Sequence, residues 1–261
     1  MLISSLQNHS VKNLVKLNKA RERKAQNLFV IEGARELSLA LAGGYSLKEV
    51  YVCRKLFEQS DYPDVLDAID DEKIIDITPE VFKKASYRTS SDGLIALAHP
   101  KKHTLANINL SDNPFVIILE SVEKPGNLGA ILRTADAAAV DAVIVCDPQT
   151  DIYNPNVIRS SVGGLFTVQT AVCTSQEAME WLDKHSIASY AAELEAAEWY
   201  QDVDYRDASA IVMGTEADGL TNSWINYAAK RIKIPMSGKL DSLNVSVSTA
   251  VLTFEAMRQR G

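Results

Sequence analysis

The sequence predicts an α/β protein: a small mixed domain followed by a larger, mostly parallel sheet with helices on both faces. Three observations carry this. Short β-branched runs alternate with helix-length segments along nearly the whole chain. The alternation is strongest after Phe115, where the strands read as continuous apolar runs, the pattern of strands covered on both sides. A polar, irregular stretch with Pro100 and Pro114 near its ends divides the chain, giving expected units at residues 1–98 and 115–261 joined by a linker at 99–114.

The elements follow in order. A basic helix is expected over Ser10–Ala25, then a short strand at Phe29–Ile31 and a helix over Ala34–Ala42 stopped by Gly43 and Gly44. Leu47–Val52, Ile74–Ile77 and Leu94–Ala98 read as strands. Beyond the linker, strands are expected at Phe115–Leu119, Ala142–Cys146, Thr167–Val172, Ile187–Ala192, Ala210–Met213 and Arg231–Ile234. Helices fit between them at Leu128–Ala139, Asn156–Val162, Ser175–His185 and Asn222–Ala229, and a last one runs from about Val245 to Arg260. In such sheets ligands sit where strands end and loops begin.

Composition narrows the function. The chain is 46% hydrophobic, enough for a sizeable core, and no apolar run approaches the roughly 20 residues that span a bilayer. Residues Met1–Ser10 lack the pattern of a signal peptide, so a cytoplasmic location is expected. Cys53, Cys146 and Cys173 form no CxxC pair and read as reduced, packed thiols. His99 and His103 read as loop residues, and no metal site is expected. A net charge of −7 argues mildly against nucleic-acid binding, but charge is segregated. Lys12, Lys16, Lys19, Arg21, Arg23, Lys24 and Arg35 face only Glu22 and Glu32 across the same stretch. This is either a phosphate-binding patch or a solvated helix face.

Three loops carry the candidate chemistry. The first, Pro125-Gly126-Asn127-Leu128-Gly129 with Arg133, follows a strand and opens a helix, with Asn127 as the expected cap. Arg133, less than two turns further, can aim a guanidinium at a phosphate or carboxylate. The second, Gly214-Thr215-Glu216-Ala217-Asp218-Gly219, leaves a buried strand; its glycines permit close backbone approach, and Glu216 needs partners if buried. The third runs from Ile234-Pro235-Met236 to Ser242-Leu243-Asn244, where Ser242 and Asn244 either cap the last helix or meet a hydroxyl. Neither a strand-linked GxGxG nor a P-loop is present.

In this order the three segments resemble the SpoU/TrmH family of SPOUT RNA methyltransferases, from about Phe115 to the C-terminus. The region around Phe29-Val30-Ile31-Glu32-Gly33 is similar to the ribosomal-protein-like, RNA-binding domain often fused in front of it. The resemblance implies a deep trefoil knot, S-adenosylmethionine as cofactor, a homodimer, and methyl transfer to a ribose 2'-hydroxyl of RNA, ribosomal RNA before transfer RNA. It implies catalytic roles for Asn127, Arg133, Glu216, Ser242 and Asn244, and cofactor contacts at Gly214, Ile234, Met236 and Leu243. Lys124 departs from the acidic residue common before Pro125, and Lys239-Leu240-Asp241 fills a variable stretch; neither is expected to touch a functional position. Arg133 acts either as a clamp that stabilises alkoxide charge or, with its proton affinity lowered, as a base. Glu216 would orient Arg133 or neighbouring loop groups. A non-catalytic RNA-binding protein and a base methyltransferase on the same fold remain alternatives.

Overall fold

The computed structural model describes residues 2–87, 92–196 and 198–261. The chain divides into two compact units, Met1–Lys102 with Asp151–Thr167, and His103–Thr150 with Val168–Gly261.

The first unit is built on a five-stranded sheet. In chain order it holds β1 (Leu2–Ile3), α1 (His9–Lys16), α2 (Ala20–Gln26), β2 (Phe29–Glu32), α3 (Ala34–Ala42), β3 (Leu47–Val52), α4 (Arg54–Phe57), β4 (Ile74–Ile77), α5 (Pro79–Ala85) and β5 (Leu94–Ala98). The strand order is β1-β4-β3-β5-β2, with β5 antiparallel to both its neighbours. Val11, Leu14 and Leu17 from the basic segment pack with Tyr51, Ile95 and Leu97 of the sheet, which leaves the lysines of that segment outside.

The single basic helix expected over Ser10–Ala25 is broken at Leu17–Lys19. Arg23 makes the break tolerable. Its Nη1 donates to the Leu17 carbonyl at 2.8 Å, and its Nε donates to Asp151 at 2.6 Å. A helix end whose carbonyl would lack a partner is thereby satisfied. Arg23 is 5% exposed and therefore not part of the expected RNA-facing set.

The second unit holds β6 (Phe115–Glu120), α6 (Pro125–Ala137) and β7 (Ala142–Cys146). After α7 (Pro155–Ser161) and α8 (Gly164–Thr167), which belong to the first unit, it resumes with β8 (Thr170–Cys173), α9 (Ser175–Lys184), β9 (Ala188–Ala192), β10 (Glu198–Trp199), β11 (Ser209–Met213), α10 (Asn222–Tyr227), β12 (Lys230–Lys233) and α11 (Val245–Arg260). Its seven strands are ordered β10-β12-β9-β11-β6-β7-β8, and every pair is parallel. Val116, Ile118, Ile144 and Val212 pack with Trp181 of α9 and Trp224 of α10 on one face. Their alternates Ile117, Val143, Val145 and Ile211 are also fully buried, and α6 and α11 pack against β7 and β11. Both faces are covered, as the continuous apolar strands require.

The segment Asp151–Thr167, expected inside the C-terminal body, packs in the first unit for a definable reason. Asp151 pairs with Arg23, and Tyr153 and Phe166 join Phe29 and Tyr45 in an aromatic cluster, with the Phe29 and Tyr153 rings 4.2 Å apart. The strand expected from Thr167 starts at Thr170, because Gly164–Thr167 closes a helical turn. Within the expected linker, Leu105, Ile108 and Leu110 pack against the core of the second unit.

Candidate active site

Because the sheet of the second unit is parallel throughout, β6, β11 and β12 all release their loops at one edge. Those are the three segments singled out in the sequence. Parallel pairing thus puts chemistry from residues 120, 214 and 234 onward on the same side of the molecule's larger unit.

The first loop leaves β6 at Glu120, a carboxylate only 3% exposed. A charge buried there requires strong partners. Thr221, the residue that precedes α10, supplies two: its N–H donates at 2.8 Å and its hydroxyl at 2.7 Å. Glu120 therefore ties the exit of β6 to the end of the second loop. Nothing in the sequence marks it, because an acidic residue ending an apolar run looks like a strand terminator; only the pairing of β6 with β11 places Thr221 within its reach.

Pro125 occupies the first turn of α6, so the helix starts before Asn127 rather than at it. Asn127 is not the expected cap. Its Oδ1 instead accepts from Asn244 Nδ2 at 3.2 Å, a link across 117 positions between the first and third loops. Its Nδ2 is buried and has no hydrogen-bond partner, one of three such side-chain atoms among the described residues. Buried amide donors are normally satisfied, and an orphan facing a loop junction marks a place for an acceptor.

The second loop closes on itself. Thr215 N–H donates to the Gly219 carbonyl at 2.9 Å, and Asp218 N–H donates to the Thr215 hydroxyl at 2.9 Å. A Cβ on Gly214 would stand 2.1–2.4 Å from the backbone of Gly219 and Leu220. Gly214 is thus required by the loop's own closure, a demand separate from the close approach to a ligand that the sequence suggested. Glu216 forms an ion pair with Lys124. Lys124, expected to touch nothing functional, touches a candidate catalytic residue, and Glu216 is held by this lysine instead of by Arg133.

The third loop is the most open. Residues 237–244 are all exposed, with Leu240 at 75% and Leu243 at 41%, while Ile234 and Met236 are half-buried. Asn244 caps α11 as expected, its Oδ1 accepting from Ser246 N–H at 3.0 Å and from the Ser246 hydroxyl at 2.6 Å. Among the described residues Ser242 donates to Asp241 alone, at 3.1 Å. Arg133 is exposed, and among the described residues no hydrogen bond or ion pair engages it.

The structure thus joins Asn127 to Asn244 and Glu216 to Lys124, and leaves Arg133 and Ser242 unengaged by the others. The residues present fit S-adenosylmethionine. Half-buried Ile234 and Met236 with exposed Leu243 offer apolar surface for a flat heterocycle, backbone-rich loops offer polar contacts to it, and the orphaned Asn127 amide offers a donor to an oxygen. At the end of β7, the neighbouring Cys173 thiol, followed by burial, pushes the Cys146 thiol well above its ordinary range. In the first unit Lys12, Lys16, Lys19, Arg21, Lys24 and Arg35 are all exposed.

Among known proteins, residues 114–254 match the SpoU rRNA Methylase family, and residues 8–96 match the MRM3-like substrate binding domain. The chain is 27% identical to the 23S rRNA (guanosine(2553)-2'-O)-methyltransferase of Bacillus subtilis, over 97% of each chain. A crystal structure of an RNA 2'-O ribose methyltransferase superposes with a TM-score of 0.87 at 37% identity, covering 100% of this chain and 99% of the other. An S-adenosylmethionine-bound rRNA methyltransferase from Sinorhizobium meliloti superposes with a TM-score of 0.89 at 25% identity, covering 99% and 97%.

Proposed function

This chain belongs to the SpoU rRNA methylase family, and from that premise we propose that it transfers a methyl group from S-adenosylmethionine to a ribose 2'-hydroxyl of ribosomal RNA. The observation that carries the reading is the junction of the three loops, with Asn127 bonded to Asn244 and its amide donor left without an internal acceptor. Full-length similarity to 23S rRNA 2'-O-methyltransferases favours ribosomal over transfer RNA.

S-adenosylmethionine, when bound, supplies an electrophilic methyl group on sulfur. Ile234, Met236 and Leu243 with the backbone at Gly214 would hold it. The chain's own task is to bring the hydroxyl into line and to lower the cost of its developing negative charge. Arg133, exposed and uncommitted, clamps a phosphate and stabilises alkoxide charge through its planar fork of donors, a clamp rather than a base. Asn127 donates to an oxygen at the junction, and Asn244 fixes Asn127. Glu216, neutralised by Lys124, shapes the second loop, and Ser242 positions the ribose from the third.

The division of labour follows the chain: residues 1–98 bind RNA through the exposed lysines and arginines of the N-terminal segment, 99–114 link, and 115–261 catalyse, with Asp151–Thr167 packed into the first unit. The catalytic part is a trefoil knot. In support, β12 lies beyond β9 from β11 and β6, yet the chain that leaves it crosses to place Asn244 on Asn127 and α11 on α6. It works as a homodimer: α11 mixes apolar and polar residues around its circumference, and Val247 and Phe254 stand 48% and 51% exposed on it. No helix of the described residues is long and apolar enough to cross a membrane, and a cytoplasmic site of action suits a ribosomal RNA substrate.

The test is nucleoside mass spectrometry of 23S rRNA incubated with the protein and labelled cofactor. A 2'-O-methylated nucleoside is expected; a methylated base, or no label at all, would overturn the proposal.

A further inference from the structure

Two of the three buried side-chain atoms without a hydrogen-bond partner among the described residues lie at one edge of the parallel sheet. One is the Asn127 donor at the loop junction. The other is an acceptor, Oε2 of Glu193, which the site described above does not use. We propose that Glu193 is a positioning residue for the cofactor, its carboxylate accepting from the ribose hydroxyls of S-adenosylmethionine. The inference rests on the cofactor placement given above.

Topology brings Glu193 to that place. It is the first residue past β9, and β9 lies between β11 and β12. Its N–H donates to the Ile232 carbonyl of β12 at 2.9 Å, so the chain keeps to the sheet as far as Glu193. Val212 of β11 is level with Ala191, so Gly214 follows level with Glu193. On the other side Ile232 is level with Ala192, which brings Lys233 level with Glu193 and Ile234 one residue beyond. Glu193 therefore stands between Gly214 and Ile234, two positions assigned to the cofactor. Its side chain shares a sheet face with that of Ala191, two residues back. Ala191 belongs to one packed cluster with Leu220 and Trp224, so this is the face that the second loop reaches on its way into α10.

The chemistry fits a diol. The Glu193 side chain is 18% exposed, and a carboxylate so covered needs partners. Its ion pair with Arg231 is loose: Nη1 stands 3.5 Å from Oε2, and no hydrogen bond forms. An ionised carboxylate only accepts, and it has two oxygens to accept with. The adenosine ribose presents two hydroxyl donors on adjacent carbons. Ile234, one residue beyond the level of Glu193, is assigned to the flat heterocycle. The group that meets Glu193 is then the one bonded directly to that ring, the ribose, and not the methionine end. Acidic residues hold a ribose hydroxyl in the same way in dinucleotide-binding sheets.

The experiment is isothermal titration of the full chain, without RNA, with S-adenosylhomocysteine and with its 2'-deoxy and 3'-deoxy analogues. Wild type should bind the parent about 10- to 100-fold more tightly than at least one analogue, the range for a hydrogen bond to a charged acceptor. Glu193→Ala should bind the parent more weakly by a similar factor and should no longer distinguish parent from analogue. A merely structural Glu193 would weaken both ligands by one factor and leave their ratio at the wild-type value; that result would overturn the proposal. Equal binding of all three ligands by wild type would overturn it too. Should Glu193→Ala fail to fold, Glu193→Gln carries the same comparison: a reduced ratio supports the proposal and an unchanged one removes it. An unchanged ratio in a variant that binds the parent removes Glu193 alone and leaves the cofactor placement standing. No binding of the parent by wild type would overturn that placement and the proposal with it.

Discussion

At the scale of single residues, Asn127, Gly214 and Arg133 give three different experiments because the structure holds them differently. Arg133 is exposed and its side chain makes no hydrogen bond or ion pair among the described residues, so its removal isolates chemistry. Arg133→Ala and Arg133→Lys should both slow single-turnover methylation by about 100-fold or more, the cost of one preorganised donor. Lysine fails because it keeps the charge without the planar fork. Cofactor binding and melting temperature should not change; near-wild-type turnover in Arg133→Ala would exclude this residue from the chemistry. Gly214 is the opposite case. Any Cβ meets the backbone of Gly219 and Leu220 within 2.4 Å, so even Gly214→Ala should destabilise the fold by about 1–3 kcal/mol as overpacking does, and weaken cofactor binding through a displaced loop. Calorimetric unfolding checks it, and an unshifted melting temperature would contradict the clash. The residue types of the three loops were legible in the sequence. Their partners were not: that Asn127 meets Asn244, that Lys124 pairs with Glu216, and that Arg23 is consumed by Asp151 each depend on residues far apart in the chain.

At the scale of elements, the junction depends on how β6, α10 and α11 are anchored. Glu120 holds Thr221 by two hydrogen bonds, so Glu120→Ala leaves the N-terminus of α10 loose and the second loop without its far anchor. Loss of a hydrogen-bonded buried carboxylate should lower stability, and cofactor affinity should fall while Glu120→Gln, which keeps one acceptor, falls less. Isothermal titration of the three proteins decides it; equal affinities would mean that the loop stands without Glu120. The other end of α11 offers a pH test. The side chains of Arg258 and Gln259 lower the Glu255 carboxyl from its ordinary 4.5 to about 2. A depressed carboxyl adds stability that is fully present above its unfolded value and disappears as pH falls towards the folded one. The melting-temperature gap between the wild type and Glu255→Gln should therefore be largest above about pH 5 and shrink towards pH 2. A gap that stayed constant with pH would show that Glu255 acts through packing alone. Strand and helix types in the parallel sheet were readable from period and apolar runs, but the break in the basic helix was not, because it is made by Arg23 capping a carbonyl six positions back.

At the scale of the whole molecule, the acidic chain must present its cations where RNA meets them. The net charge is −7, yet Lys12, Lys16, Lys19, Arg21 and Lys24 line one exposed stretch in which only Glu22 opposes them. Arg23, which the sequence placed in this set, is unsuitable for a charge-reversal test, since glutamate there would face Asp151 in the interior and unfold the unit rather than probe RNA. Lys16, Arg21 and Lys24 are the clean choice: all are exposed, and no side chain of the three has a hydrogen bond or ion pair among the described residues. Each cation that neutralises a phosphate releases counterions, and the slope of log affinity against log salt falls by roughly 0.7–0.9 for each phosphate no longer neutralised. Reversal of all three to glutamate should therefore weaken RNA binding and flatten that slope by about two to three units if all three meet phosphates. Cofactor affinity should be untouched, because the residues assigned to the cofactor lie in the other unit. Binding measured across a salt series separates the outcomes. A weaker but equally steep dependence would mean a general loss of attraction without direct phosphate pairing, and an unchanged curve would return the segment to a solvated helix surface.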